Sequence, residues 1–420
     1  MKQHILWFII FSLSVSPMLP AGNGGSGYSR YGIGDVRYTF SERAIGMANS
    51  GLAALSSTSI DQYNPAAWSG INRTRFSVGV QYEGFNTTDG ANSAYLSGTG
   101  FGGFMLAIPV YTTSGIVFGT GITPYSSVNY NISSTSSYGS LLYNVKYAGE
   151  GGLSEGHLGL SYIPGNDFSL GAKFSYYFGT MRHNVSQSFS TSEYSNASET
   201  RSMEAHGIGA TIGIIYSGLG KALNIDSSRT LSVGLVLSSS SSLKATEKHY
   251  YAFTSTSNQV TIRDTTVFPG TTLTLPLRLG FGAAYSTKEF LVASDLLYQQ
   301  WSSFNGTGVV LGNFTNSSRF SIGGEIFPHH EGTASFFQRL AYRAGFFYDA
   351  SYYNINGESI NELGFTGGFG IPVVSDTRLN IGIGYSFRGT TNNGLQQDKI
   401  FRLSFSLNGS ERWFLPSEDE

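Results

Sequence analysis

The chain has 420 residues, a formal net charge of −2, 12% charged and 14% aromatic residues, and no cysteine. The missing thiols exclude disulfides, zinc–thiolate centres and thiol catalysis. The near-neutral balance gives no electrostatic basis for binding nucleic acid. Glycine, at 54 residues, is well above its usual share of about 7%, and the 26 Tyr and 30 Phe far outnumber the 4 Trp. A membrane barrel wall uses these residue types, with rings at the headgroup levels and small residues where walls curve or crowd.

In chain order, Met1–His4 is a mildly basic leader and Ile5–Val15 an apolar run broken only by Ser12 and Ser14. Leu19-Pro20-Ala21 offers a small residue for cleavage. Residues 1–21 therefore read as a secretory signal peptide, the alternative being a buried first helix. No cysteine follows, so no lipoprotein anchor is expected.

Residues 22–72 do not alternate. Ser41–Leu55 is rich in small residues, and Ile60–Trp68 follows with Tyr63, Asn64 and Pro65. The segment carries enough Ile, Leu, Met, Tyr and Trp to need burial. Two placements are open: a hatch folded into the lumen of a barrel, which grows wider with strand number, or an ordered periplasmic cap.

From residue 73 the pattern changes to period two. Phe76, Val78, Val80 and Tyr82 share one face of the first strand, and Arg75, Ser77, Gly79, Gln81 and Glu83 share the other. Thirteen further strands are expected near 101–110, 114–124, 152–163, 167–181, 203–216, 229–243, 272–286, 289–302, 317–328, 339–350, 359–371, 377–389 and 398–408. The total is even, as single-chain bacterial barrels require. Connections after even strands are short and turn-like, as at Tyr111-Thr112-Thr113 and Thr287-Lys288, with Ser217–Ser228 and His329–Gln338 as exceptions. Tyr125–Gly151, Arg182–Ser202 and Lys244–Thr271, after odd strands, read as long loops facing outward. No apolar stretch reaches eighteen residues, so no helical span is expected. The fold class is thus all-β, a fourteen-stranded antiparallel transmembrane barrel over 73–408, with 409–420 as a periplasmic tail. A soluble Greek-key protein of unusual size is the competing architecture.

Chemistry-bearing motifs are sparse. Adjacent side chains in His329-His330-Glu331 diverge, and no third ligand is in range, so no metal site is assigned. Glu155 and His157 share a strand face and read as a polar pair in a wet lumen. Gly22–Gly27 follows a leader rather than a strand and fails as a phosphate loop. No nucleophile elbow is present. No catalytic residue and no cofactor are assigned, and the chain is not expected to be an enzyme. Pro124 removes a ladder donor near the end of the third strand, either as a kink or as that strand's outer end.

The run Arg43–Ala53 followed by Tyr63-Asn64-Pro65-Ala66 resembles the N-terminal hatch of the FadL family, outer-membrane transporters of long-chain fatty acids and other hydrophobic molecules. Asn64, Pro65 and Ala66 match that hatch's Asn-Pro-Ala motif. Leu275–Gly282, Asp295–Ser302 and Tyr342–Phe346 are similar to its later strands, and Arg412-Trp413-Phe414 resembles the ending of Bacteroidota and Chlorobi members. The resemblance implies fourteen strands, a lumenal hatch, a Gram-negative outer-membrane location and, at Pro124, a kink that opens the wall sideways. On that basis the expected function is passive uptake of a small hydrophobic molecule such as a fatty acid. Tyr95, Tyr143, Tyr147, Tyr250, Tyr251 and Phe253 would catch it. A pocket bounded by Ile45, Met47, Leu52, Leu55 and Trp68 would hold it. Membrane lipids are the expected surroundings. The alternative is a partner-binding barrel that serves secretion machinery or a periplasmic protein as scaffold or shuttle.

Overall fold

The computed structural model describes residues 22–38, 45–165, 167–191, 193–226, 228–254, 260–305, 312–329, 334–374 and 377–411. The leader 1–21, most of His329-His330-Glu331, Arg43 and Ala44, and the tail from Arg412 lie outside the described residues.

Fourteen antiparallel strands close into a barrel. They are β1 (Thr74–Thr88), β2 (Ser93–Tyr111), β3 (Ile116–Pro124 and Ser126–Tyr138), β4 (Leu141–Gly165), β5 (Phe168–Phe189), β6 (Asn196–Tyr216) and β7 (Thr230–Ser238 and Ser241–Thr254). The circuit continues through β8 (Val260–Leu275 and Arg278–Ser286), β9 (Phe290–Gln299), β10 (Asn313–Phe314 and Ser317–Ile326), β11 (Ala341–Ile355), β12 (Glu358–Val374), β13 (Thr377–Gly389) and β14 (Gln397–Glu411). Closure comes from β14 pairing with β1, from Gln397↔Thr88 to Glu411↔Thr74. The last strand thus runs three residues past its expected end at 408, into what the sequence reading assigned to the tail.

The faces follow the period-two reading. Val78, Val80, Phe101, Phe104, Leu158, Leu160, Phe405 and Leu407 are exposed on the outer face, while Arg75, Ser77 and Glu83 are buried inside. A closed sheet with an apolar exterior and a polar interior satisfies its backbone internally and leaves its greasy side chains facing lipid.

The long outward loops are the main correction. Among the described residues, Tyr125–Gly151, Arg182–Ser202 and Lys244–Thr271 are chiefly strand, the first of them turning at Gly139–Ser140. β4 alone has 25 residues, whereas a tilted strand crosses a bilayer in about 9–11. Beyond the lipid both faces meet water, so the alternation that marks a strand in sequence disappears. Pairing persists because Thr, Val, Ile and Tyr suit extended backbone. The aromatic residues assigned to catching loops accordingly lie on strands: Tyr95 on β2, Tyr143 and Tyr147 on β4, Tyr250, Tyr251 and Phe253 on β7.

Residues 22–38 and 45–72 pack against the inner wall, and glycines make room for them. A Cβ on Gly213 would lie 1.9 Å from Asn64 Oδ1, on Gly171 2.3 Å from the backbone of Pro65 and Ala66, and on Gly323 2.3 Å from the Met47 carbonyl. On Gly119 it would meet the Trp68 ring at 2.5 Å, and on Gly345 the Met47 backbone at 2.5 Å. Strand after strand presents bare backbone at this level, so the bore admits another stretch of backbone.

Gly213→Ala should therefore push residues 60–71 off the wall while leaving the barrel ladder closed, at a cost of roughly 1–3 kcal/mol, the usual range for overpacking. Limited proteolysis of the folded barrel should then cut the leading segment, whereas Gly100→Ala, whose Cβ meets nothing within 4 Å, should behave as wild type. Wild-type protease resistance in Gly213→Ala would show that this contact does not hold the segment.

Candidate functional site

The lumenal site is built from the leading segment and the inward faces of β1, β10–β14 and β3. Ser26 begins it by accepting the Tyr28 N–H at 3.2 Å, starting a short 3-10 turn over Gly27–Arg30, and by donating to Asp398. Tyr28 donates its hydroxyl to the Gln396 carbonyl. Asp35 then receives Arg388 at 2.9 Å and the Tyr353 hydroxyl at 3.0 Å. Arg37 reaches Glu83 at 2.5 Å. Arg402 joins Glu83 (3.0 Å) to Glu362 (2.6 Å), and Arg388 binds Asp398 at 3.3 Å.

Asp35, Arg37, Glu83, Glu362, Arg388 and Arg402 surround a cavity of about 90 Å³, completed by Arg319, Asp349 and Tyr352. Arg319 lies 3.4 Å from Asp349 and over the rings of Phe347 and Tyr38, at 3.9 and 4.6 Å. Arg278 lies between the Tyr63 and Tyr125 rings, at 5.1 and 5.2 Å. Charges so far from bulk water persist because nearly all are paired and hydrogen-bonded. A cavity lined this way suits water and polar groups.

The Asn-Pro-Ala stretch has a local physical logic. Asp61 accepts the N–H groups of Tyr63 (2.8 Å) and Asn64 (2.6 Å), and its carbonyl accepts Trp68 Nε1 at 2.7 Å. Asn64 caps the turn Pro65–Gly70 by accepting the Ala66 N–H at 3.0 Å, and its amide donates to the Leu52 carbonyl at 2.7 Å. Pro65 stands first in the turn, where no N–H is needed. Ala66 is fully buried.

Of the expected pocket residues, Ile45 lines the polar cavity. Met47, Leu52 and Trp68 are buried against wall glycines, and Leu55 is exposed. The five are thus not brought together around one space. Asp295, assigned no role in the sequence reading, accepts the N–H groups of Gly51 and Leu52 at 2.8 and 3.0 Å. The Glu155–His157 pair is a triad instead: Glu155 binds Lys173 at 2.8 Å and Ser175 at 2.6 Å, while the His157 ring stacks on Trp68. Among the described residues no group of three or more His, Cys, Asp or Glu is arranged to hold a metal ion.

Pro124 sits at a break in the wall. β2 pairs with β3 only from Phe104↔Ile122 to Tyr111↔Ile116, and of the barrel strands only β4 pairs with the second half of β3. Opposite the break, Gly151 and Gly152 take φ of +105° and +138°, where a side chain would be strained. A cleft of about 420 Å³ opens there, lined by Gly98, Phe101, Pro124, Asn129 and Leu153 among others. Phe101 pairs with Val80, so the cleft's lip belongs to the apolar outer band. The leading residues touch both sides of the break: Gly22–Asn23 runs parallel to Leu96–Ser97 of β2, and Asp35–Val36 pairs with Ser126–Ser127 of β3.

Arg402→Gln should leave Glu83 and Glu362 buried without their shared cation, destabilising the barrel by roughly 3–5 kcal/mol. The urea midpoint in detergent micelles measures this, and adding Glu362→Gln should recover part of the loss. A single variant with the wild-type midpoint would mean that the network is not holding the leading segment in place.

No curated protein matches the chain. Among solved structures, the CymD monoaromatic hydrocarbon channel superposes with a TM-score of 0.58 at 13% identity, over 89% of this chain and 98% of that one. A Pseudomonas aeruginosa FadL homologue gives 0.58 at 14%, over 90% and 99%, and the P. putida toluene transporter TodX gives 0.57 at 14%, over 89% and 99%. At such identities the likeness is one of fold. A family model described as BamG matches residues 1–418, and the chain belongs to the BamG family.

Proposed function

We propose that the protein is an outer-membrane channel of a Gram-negative bacterium for passive uptake of small hydrophobic molecules, fatty acids among them. In this reading residues 1–21 are a signal peptide, 22–72 a hatch that stops the bore, and 73–408 the barrel, with the rim that carries Thr74 and Glu411 in the periplasm. Asn64, Pro65 and Ala66 fix the hatch's shape, while Ile45, Met47, Leu52 and Trp68 key it to the wall. The observation that carries the reading is the pairing of a small cavity lined by salt-bridged groups with a wall break at Pro124 whose lip is apolar. Ions and polar solutes find the direct path filled by salt-bridged groups. A greasy molecule has a side route that meets lipid, and apolar transfer favours it by about 25 cal/mol per Å² removed from water. Fold relatives named as a hydrocarbon channel and a toluene transporter add support for the substrate class.

Uptake of a fluorescent long-chain fatty acid and of toluene into proteoliposomes tests this. Gly100→Trp should fill the open space at the break and lower uptake tenfold or more, with heat-shifted electrophoretic mobility showing that the barrel is intact. Removing residues 22–72 should abolish selectivity and let small ions leak. Unchanged uptake in both variants, or none by wild type for either substrate, would end the proposal.

A further inference from the structure

Among the described residues, two of the sheet edges without a neighbouring barrel strand above the apolar band are treated very differently. One is β8 over Val260–Leu275. It carries Asp264, Pro269 and Gly270 at φ +79°, and its ladder with β7 slips register at Ala245/Thr246 and at Tyr251/Ala252. Charges, prolines and bulges are the usual ways in which sheets prevent another strand from adding to an exposed edge.

The other edge is the second half of β3, Ser-Ser-Val-Asn-Tyr-Asn-Ile-Ser-Ser-Thr-Ser-Ser-Tyr over Ser126–Tyr138. It has no charge, no proline and no register shift in its ladder with β4. Its lower part is already occupied by the chain itself. Asp35 pairs with Ser127, and the Ser29 hydroxyl both accepts the Asn129 N–H (3.0 Å) and donates to the Asn129 carbonyl (2.9 Å). Alternate residues of a strand aim their backbone groups to the same side, so Ser133, Thr135 and Ser137 aim theirs that way too. Nothing among the described residues pairs with them there. The facing strand β2 begins at Ser93, three residues before the Leu96 that pairs with Gly22.

We propose that this edge is a docking site for an extended, uncharged segment of a second protein at the cell surface, which adds to β3 as a strand beyond Asn131. The occupant is extended backbone because extended backbone from residues 35–36 already uses the same edge one step below. It is uncharged because the edge offers no charge to meet. A second copy of this chain does not fit. Two copies in one membrane are related by an axis along the membrane normal, which points both β3 strands the same way and brings like edge to like edge, so N–H groups would face N–H groups. The assignment rests on the orientation given above and not on uptake.

The full chain extracted from native outer membranes in mild detergent is the material for the test, with native mass spectrometry as the readout. The triple substitution S133P/T135P/S137P removes the outward donors without touching the ladder to β4, and S133A/T135A/S137A removes only side-chain groups. Wild type and the alanine variant should carry one further protein in a 1:1 complex, and the proline variant should lose it tenfold or more. Heat-shifted mobility confirms that the proline barrel is folded; if it is not, Thr135→Pro alone serves as that arm. A wild type that flies alone overturns the proposal. So does a proline variant that keeps the partner, or an alanine variant that loses it equally, which would mean recognition by side chains.

Discussion

The structure depends on backbone lying against backbone inside a narrow bore. Fourteen strands enclose more space than their own inward side chains fill, and in this chain a segment that makes almost no regular secondary structure of its own lies against the inner wall. Such a segment brings orphan N–H and C=O groups into a place shielded from bulk water, and each must find a partner. The wall meets this demand in two ways. Glycines at Gly119, Gly171, Gly213, Gly323 and Gly345 let it approach. Inward side chains such as Asp295 and Thr366 take the backbone donors of Gly51, Leu52 and Ala48. Glycine abundance is thus a property of the contact between wall and segment as much as of the wall's curvature.

The same segment ties the charge distribution together. Arg388, Arg402, Glu362 and Asp398 belong to strands late in the chain, and Glu83 to the first. Asp35 and Arg37, from the leading segment, connect to both groups. The barrel's closing seam between β14 and β1 is therefore held by its ladder and also by ion pairs that pass through residues 35–37. Because a buried charge without its partner is heavily penalised, closure of the sheet and seating of the segment are coupled. An open seam would strand the carboxylates that the segment's cation satisfies.

How much of this the sequence discloses follows from where two faces of a strand differ. Between lipid and lumen they differ sharply, so Phe76–Glu83 was legible as a strand with the correct faces, and the count of fourteen came out. Above the membrane both faces are wet, and Tyr125–Gly151 read as loop although it is paired throughout most of its length. The segment 22–72 was legible as something needing burial but not in its route, because contacts such as Asn64 against Gly213 and Ser26 against Asp398 join residues far apart in sequence and follow no period. The ionic cluster left a faint signal. Glu83 and Arg402 both fall on inward registers of their strands, and charges on inward registers of a low-charge chain need partners. That Asp35 and Arg37 would join them could not be read without the fold.

The break at Pro124 brings these threads together. The β2–β3 ladder ends just before Pro124, which has no N–H, at the level where the outer face is still apolar, and two β4 glycines in left-handed conformations stand opposite. An unsealed gap at that height would leave backbone groups facing lipid, where each unsatisfied one costs several kcal/mol. The leading residues relieve part of that demand: Gly24 donates to the Ser97 carbonyl at 3.3 Å on one lip, and Arg37 to the Tyr125 carbonyl at 2.9 Å on the other. One short stretch of chain therefore lies against the inner wall, links the charges across the seam and bonds to both lips of the break. These three duties are mechanically joined. A shift of residues 22–38 large enough to open the side of the barrel would also unseat Asp35 from Arg388 and Arg37 from Glu83, so lateral opening and loosening of the polar core would occur as a single event.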